Sequence, residues 1–139
     1  MTRISPSNIT SLKPNEIFVF GSNLSGIHGG GAAHQAMKWG AKWNQGVGLQ
    51  GQTYAIPTKY YNISRTLTVK EIEPYVNEFI MFAIENKQYN FMVTEIGCGL
   101  AGMVIEDIAP LFKQALDVEN IYLPERFVLY LNTLNDSLN

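Results

Sequence analysis

Two short glycine-rich stretches carry most of the residues that could do chemistry. The first, Gly21-Ser22-Asn23-Leu24-Ser25-Gly26-Ile27-His28-Gly29-Gly30-Gly31, places an amide and an imidazole among glycines. Gly29, Gly30 and Gly31 in succession remove every Cβ from one piece of backbone. A phosphate can then approach the main-chain N–H groups closely. The second stretch, Gly97-Cys98-Gly99-Leu100-Ala101-Gly102, is literally a G-x-G-x-x-G pattern. The plainer alternative for either stretch is a turn with tight helix–sheet packing, although such a turn needs only one or two glycines.

The side chains within these stretches each allow two readings. Asn23 offers both donor and acceptor to a sugar, or it caps its own turn. His28 is the only titratable group of the first loop. It suits a general acid or base on a ribose-linked bond, or a loop residue that hydrogen-bonds locally. Cys98 lies in an amide-rich turn that would lower a thiol pKa, which makes it a candidate nucleophile; a small side chain in a tight turn is the simpler role. His34 reads as a surface or packing residue. Two histidines and one cysteine lack the paired spacing of a zinc site, so no metal or other cofactor is expected. No Gly-Lys-Ser/Thr follows either cluster, which excludes a Walker loop. The dinucleotide fingerprint wants an acidic residue about twenty positions on, at the end of the next strand. Asp117 and Glu119 precede that strand and Glu125 follows it, so a Rossmann dehydrogenase is not expected.

Each loop needs a strand before it and a helix after it, and the sequence supplies both. Ile17–Phe20 reads as a buried strand stopped by Gly21, and Ala32, Ala33, Ala36 and Met37 as a short helix ending near Gly40. The start of that helix would add the positive end of its dipole to the first loop. Gly46, Gly48 and Gly51 mark an irregular stretch. Thr53–Ile56 reads as a strand stopped by Pro57, and Lys59–Thr66 as a surface loop. Thr68 and Glu71 form a capping box for the best helix, with Ile72, Val76, Phe79, Ile80, Ala83 and Ile84 on one face and Pro74 in its first turns. Phe91–Ile96 reads as a strand before the second loop, Ile105–Leu116 as a helix, and Asn120–Leu123 as a strand ended by Pro124. Phe127–Leu131 fits a strand or a helix. Alternating strands and helices imply a single α/β domain over residues 1–139, three-layer α/β/α with a central, mostly parallel (mixed) sheet. Ligands of such sheets gather at the carboxyl ends of the strands, where both loops fall.

Composition narrows the partners. The chain has 139 residues, 46% hydrophobic and 16% charged, with a formal net charge of -2. That balance suits a buried core, and no basic stripe invites duplex nucleic acid. Residues 1–13 lack the apolar core of a secretory signal, and Phe79–Ile84, the longest apolar run, is too short for a membrane span. A cytoplasmic protein without a membrane partner is the expectation, and Asn62-Ile63-Ser64 then fits the glycosylation pattern by chance. Trp39, Trp43, Tyr60 and Tyr61 could form a protein-partner surface or belong to the core.

The order of these parts resembles the macrodomain family of ADP-ribose-binding modules, which includes ADP-ribose-processing enzymes. Phe18-Val19-Phe20-Gly21-Ser22-Asn23 followed by Gly29-Gly30-Gly31-Ala32-Ala33 is similar to the family's strand, asparagine and first phosphate loop. Gly97–Gly102 is similar to its second phosphate loop, and Tyr54–Thr58 to its central strand. The resemblance covers about residues 8 to 125. It implies a macrodomain-like fold whose cleft binds ADP-ribose or a related phosphorylated nucleotide. Asn23 would hold the distal ribose, amides of Gly29, Gly30, Gly31, Gly99 and Gly102 the phosphates, and Leu100 and Ala101 the cleft wall beside Gly97 and Cys98. Asn8-Ile9-Thr10 stands where the family has Asp-Ile-Thr. There Asn8 would accept from the adenine amine without a negative charge. Tyr122 and Phe127 are the candidates for an aromatic against the ligand's far end. The chemistry implied is hydrolysis of a terminal phosphate, ester or ADP-ribosyl linkage by His28, with Glu95 at a neighbouring strand end. The other outcomes are a non-catalytic reader with the same pocket, or an interaction domain with a vestigial cleft.

Overall fold

Ile17, Phe18, Val19 and Phe20 alternate between the two faces of a central strand, and both faces are covered. Ile17 and Val19 join a large core with Phe79, Phe91, Phe112 and Phe127, while Phe18 and Phe20 join a smaller one with Ile9, Ala33 and Ala36. The protein is described here by a computed structural model covering residues 3–138. Its elements in chain order are β1 (Ile4–Ser5), β2 (Glu16–Asn23), α1 (Gly31–Ala36), β3 (Gly48–Gln50), β4 (Thr53–Lys59), α2 (Val69–Glu85), β5 (Asn90–Val93), α3 (Ile105–Ile108), β6 (Ile121–Pro124) and α4 (Glu125–Leu138). The sheet order is β1-β6-β5-β2-β4-β3, and only β3 runs antiparallel to its neighbour. The α/β class and the mostly parallel, mixed sheet agree with the alternation read from the sequence. The small core beside α1 and the large core beside α2 and α4 place helices on both faces.

Several element ends differ from the sequence reading, each for a local reason. β2 does not stop at Gly21 but runs to Asn23. Gly21 has no positive φ and lies beneath the second loop, where a Cβ would stand 3.4 Å from the Gly97 amide nitrogen, so its backbone continues the strand. β4 continues through Pro57 to Lys59. β3 ends opposite Ala55, and beyond it a residue without an N–H loses no ladder bond on that side. β5 is shorter than expected and ends at Val93, after which Thr94 still donates its backbone N–H to Val19 O at 3.0 Å. The helix expected over Ile105–Leu116 is one α turn followed by a 3-10 run, Ala109–Asp117, with Pro110 at its start. Phe127–Leu131, which fits a strand or a helix by sequence, lies within the helix Glu125–Leu138.

α2 follows its pattern except at Ile84, which is exposed near the end of the helix and does not join the buried face. Thr68 Oγ1 accepts from the Glu71 N–H at 3.1 Å and the Glu71 carboxylate accepts from the Thr68 N–H at 2.9 Å. Such a cap contributes about 1 kcal/mol. Ile72, Val76, Phe79, Ile80 and Ala83 are buried along one stripe. Pro74 lies past the first turn, where it forfeits the bond to the Lys70 carbonyl. Both residues are exposed, a position where solvent can replace the lost bond, and the helix continues to Glu85. The far end of α2 is held from a distance. Asn120 Nδ2 donates to the carbonyls of Ala83, Asn86 and Tyr89 at 2.9, 3.2 and 3.0 Å. Among the described residues, no helix is long and apolar enough to cross a membrane.

Candidate functional site

The carboxyl ends of β2, β4 and β5 open onto a cleft of about 540 Å³ walled by both glycine loops. Gly29, Gly30 and Gly31 line one side and Gly97, Cys98, Gly99, Leu100 and Ala101 the other. Leu100, itself 75% exposed, reaches across, so that a Cβ on Gly30 would stand 3.3 Å from Leu100 Cδ1. The two loops expected to share a ligand therefore face each other. Gly102 turns at φ +75° just behind them and does not line the cleft.

Several backbone N–H groups of this cleft are left free by the chain. Among the described residues the N–H groups of Gly29, Gly30, Gly99, Leu100 and Ala101 have no hydrogen-bond partner. Unpaired amides of this kind attract an anion or water. Glycine is required by the chain at Gly31 (φ +59°) and Gly97 (φ +81°). It is not required at Gly29 or Gly99. Neither has a positive φ, and an added Cβ would meet nothing within 4 Å at either. The helix dipole adds little to the first loop, because α1 has only six residues.

Of the side chains expected at the site, Asn23 lines the cleft but is buried and already engaged. Its Nδ2 donates to Ile27 O at 2.8 Å and its Oδ1 accepts from the Ile27 N–H at 2.9 Å, closing the first loop on itself. His28 does not line the cleft. Its ring is fully buried, 5.4 Å from Phe20 and 6.3 Å from Trp43 in edge-on contact. Nε2 lies 3.1 Å from Gln45 O and, since a carbonyl only accepts, donates to it, while Nδ1 has no partner among the described residues. This placement does not suit proton transfer to a bound ligand, and it makes His28 a strut of the loop. His34 is exposed on α1.

Cys98 lines the cleft, half-buried. Burial pushes its thiol up, and the Glu95 carboxylate pushes in the same direction, against the lowering expected from a turn rich in amides. Glu95 itself is held below the usual carboxylate range by Arg126, whose Nε and Nη2 donate to its two oxygens at 2.6 Å each.

A second cavity, of about 740 Å³, adjoins the first and shares Ala32, Thr94 and Glu95 with it. Asn8 and Ile9 line this one, with Phe18 and Arg126. Asn8 is exposed, and Gln35 Nε2 donates to the Ile9 carbonyl beside it. Of the expected aromatics, Phe127 is buried in the large core against Phe112, and Tyr122 packs beside Met92 without lining either cavity. Trp39 packs on Phe18 in the small core, while Trp43, Tyr60 and Tyr61 are exposed. No cluster of three potential metal ligands occurs among the described residues.

Two charged side chains, Lys59 and Arg126, and the apolar Ile63 are among the lining residues that the sequence does not single out. Lys59 and Ile63 belong to the stretch Lys59–Thr66 that reads as a surface loop, and Arg126 lies between Pro124 and the Phe127–Leu131 run, in neither element. The signal available was position: Lys59 follows Thr58 at one strand end, and Arg126 follows Pro124 at another. The loop of residues 60–66 also ties the two glycine loops together. Asn62 donates its N–H to Ser25 Oγ at 2.9 Å, and Thr66 Oγ1 donates to Ala101 O at 2.8 Å. Ile63 is held at φ +56°, a conformation that a β-branched residue rarely adopts. No protein-family model matches this chain, and no curated protein or solved structure is significantly similar to it.

Proposed function

We propose that this protein binds ADP-ribose or a related phosphorylated nucleotide between its glycine loops, in a macrodomain-like manner. The observation that carries the reading is the pair of glycines, Gly29 and Gly99, that the chain does not need. They stand on opposite walls of one cleft, each with an unpartnered N–H. A diphosphate requires amides reachable without a Cβ in the way, which accounts for glycine at both places. The adjoining cavity gives an elongated ligand room for a second head, with Asn8 available to an adenine amine. Asn23, its side chain closing the loop, would shape the ribose end rather than grip it.

The burial of His28 favours a reader over a hydrolase. With Glu95 locked to Arg126, no other lining side chain supplies an evident acid–base pair. Calorimetry with ADP-ribose at millimolar concentration tests binding. Absence of heat, together with no thermal shift for ADP or NAD, removes the proposal. Product release from ADP-ribose-1″-phosphate or from ADP-ribosylated protein would restore the hydrolase.

A further inference from the structure

The charge balance of the cleft is uneven, and Lys59 is the reason. Lys59 closes β4, pairs in register with Asn23, and lines the cleft half-buried. Its carbonyl accepts from the Leu24 N–H at 3.0 Å, which fixes its backbone to the first glycine loop. Among the described residues, no hydrogen bond or ion pair reaches its ammonium. The one carboxylate lining the same cleft is Glu95, and both its oxygens are taken by Arg126. The cleft therefore keeps one uncompensated positive charge, at its Asn23 end. That end is also walled. Ser25–Asn62 and Thr66–Ala101 tie the 60–66 loop across it, and Ile63 forms part of the lining. A charge in a walled cleft is screened less than one on an open surface, and it focuses the local field. A lysine on a flexible stem suits a phosphate as a point charge, without the fixed fork an arginine would impose.

We propose that Lys59 is a specificity-determining residue that selects nucleotide ligands carrying an additional anionic group, a phosphate monoester, on the sugar at the Asn23 end. This rests on the nucleotide reading of the cleft. The test compares two ligands that differ by that one group, ADP-ribose and ADP-ribose-1″-phosphate, by calorimetry on the wild type, Lys59→Gln and Lys59→Arg. A charge-assisted hydrogen bond in a partly buried site corresponds to about tenfold or more in affinity. The wild type should prefer the phosphorylated ligand by about that ratio, and raising the salt should shrink the preference. Lys59→Gln should bring the ratio to about one, because it weakens the phosphorylated ligand more than ADP-ribose, while Lys59→Arg keeps it; a thermal melt confirms that each variant is folded. A wild-type ratio near one, or a ratio that survives in Lys59→Gln, overturns the role of Lys59 and leaves the nucleotide reading standing. If neither ligand binds the wild type at millimolar concentration, the nucleotide reading falls and the role of Lys59 with it.

Discussion

Replacing Gly99 by alanine should strengthen the fold and weaken the ligand. Gly99 has no positive φ, and its added Cβ would touch nothing within 4 Å, so the folded state accepts the methyl without strain. Alanine also restricts the unfolded chain, which stabilises by about 0.4–1 kcal/mol. At about 2.1 cal/mol/K per residue, a chain of 139 residues has an unfolding entropy near 0.29 kcal/mol/K, and Tm should rise by about 1–3 °C. On the proposed function, the same methyl should crowd a phosphate held by the unpartnered amides of Gly99 and Leu100. Losing one amide bond to a charged phosphate corresponds to about 1.5–3 kcal/mol, or roughly 10- to 150-fold in Kd. Gly97→Ala is the contrasting control. Its φ of +81° and a Cβ 3.2 Å from Met103 Sδ strain the backbone itself. It should lower stability by about 1–3 kcal/mol. Differential scanning calorimetry and ADP-ribose titration measure the two effects separately. If Gly99→Ala melts as early as Gly97→Ala and binds ADP-ribose as well as the wild type, glycine at that position serves the chain. Glycine at Gly99 then no longer marks an anion site.

The remaining expectations concern side chains around the site. His28→Ala should destabilise by about 2–4 kcal/mol in urea melts, through the lost packing and the lost bond to Gln45. Affinity per folded molecule should stay unchanged, whereas lost binding with intact stability would return His28 to the site. Cys98, with its thiol pushed up by burial and by Glu95, should react with iodoacetamide more slowly than free cysteine at neutral pH, and more slowly again with ligand bound; rapid alkylation contradicts the placement. The Glu71 carboxyl is held down to about 2, first by Arg65 and then by the Thr68 N–H. The folded state therefore takes up this proton only well below the unfolded value of about 4.3. The stability it contributes is complete above that unfolded value and is lost as pH falls through about 2. NMR titration should find the low midpoint in the wild type and a higher one in Arg65→Gln; an unchanged midpoint rejects the pairing.

The parts legible in the sequence were those decided by local pattern. The alternation at Ile17–Phe20 and the capping box at Thr68 fixed a strand and a helix because each depends on neighbours within a few residues. Both loops were visible as glycine clusters, and their order along the chain predicted their place. What was not legible depended on partners far along the chain. Gly21 and Pro57 read as strand breakers, yet each sits where the sheet tolerates it, one beneath Gly97 and the other beyond the end of β3. The misplaced end of β4 hid Lys59. Burial of His28 rests on Gln45 and Trp43, from an irregular segment that gives no period to read. The upward push on the Cys98 thiol was not legible because loop amides are a local feature, while its burial and the nearby Glu95 are not.

The grip of Asn120 on the end of α2 has a kinetic meaning. One NH2 group carries two hydrogens, so three carbonyl acceptors must share them, and the helix end owes its capping to a residue 34 positions beyond Asn86. α2 can nucleate early from its own capping box. Its last turn can be sealed only after the chain has passed through β5, the second glycine loop and α3 to bring β6 home. The clasp thus belongs among the last contacts made on folding and the first released on unfolding. Asn120→Ala should steepen the loss of the native state, with unfolding much faster and refolding nearly unchanged. A refolding rate that falls in proportion would instead place this junction in the folding nucleus.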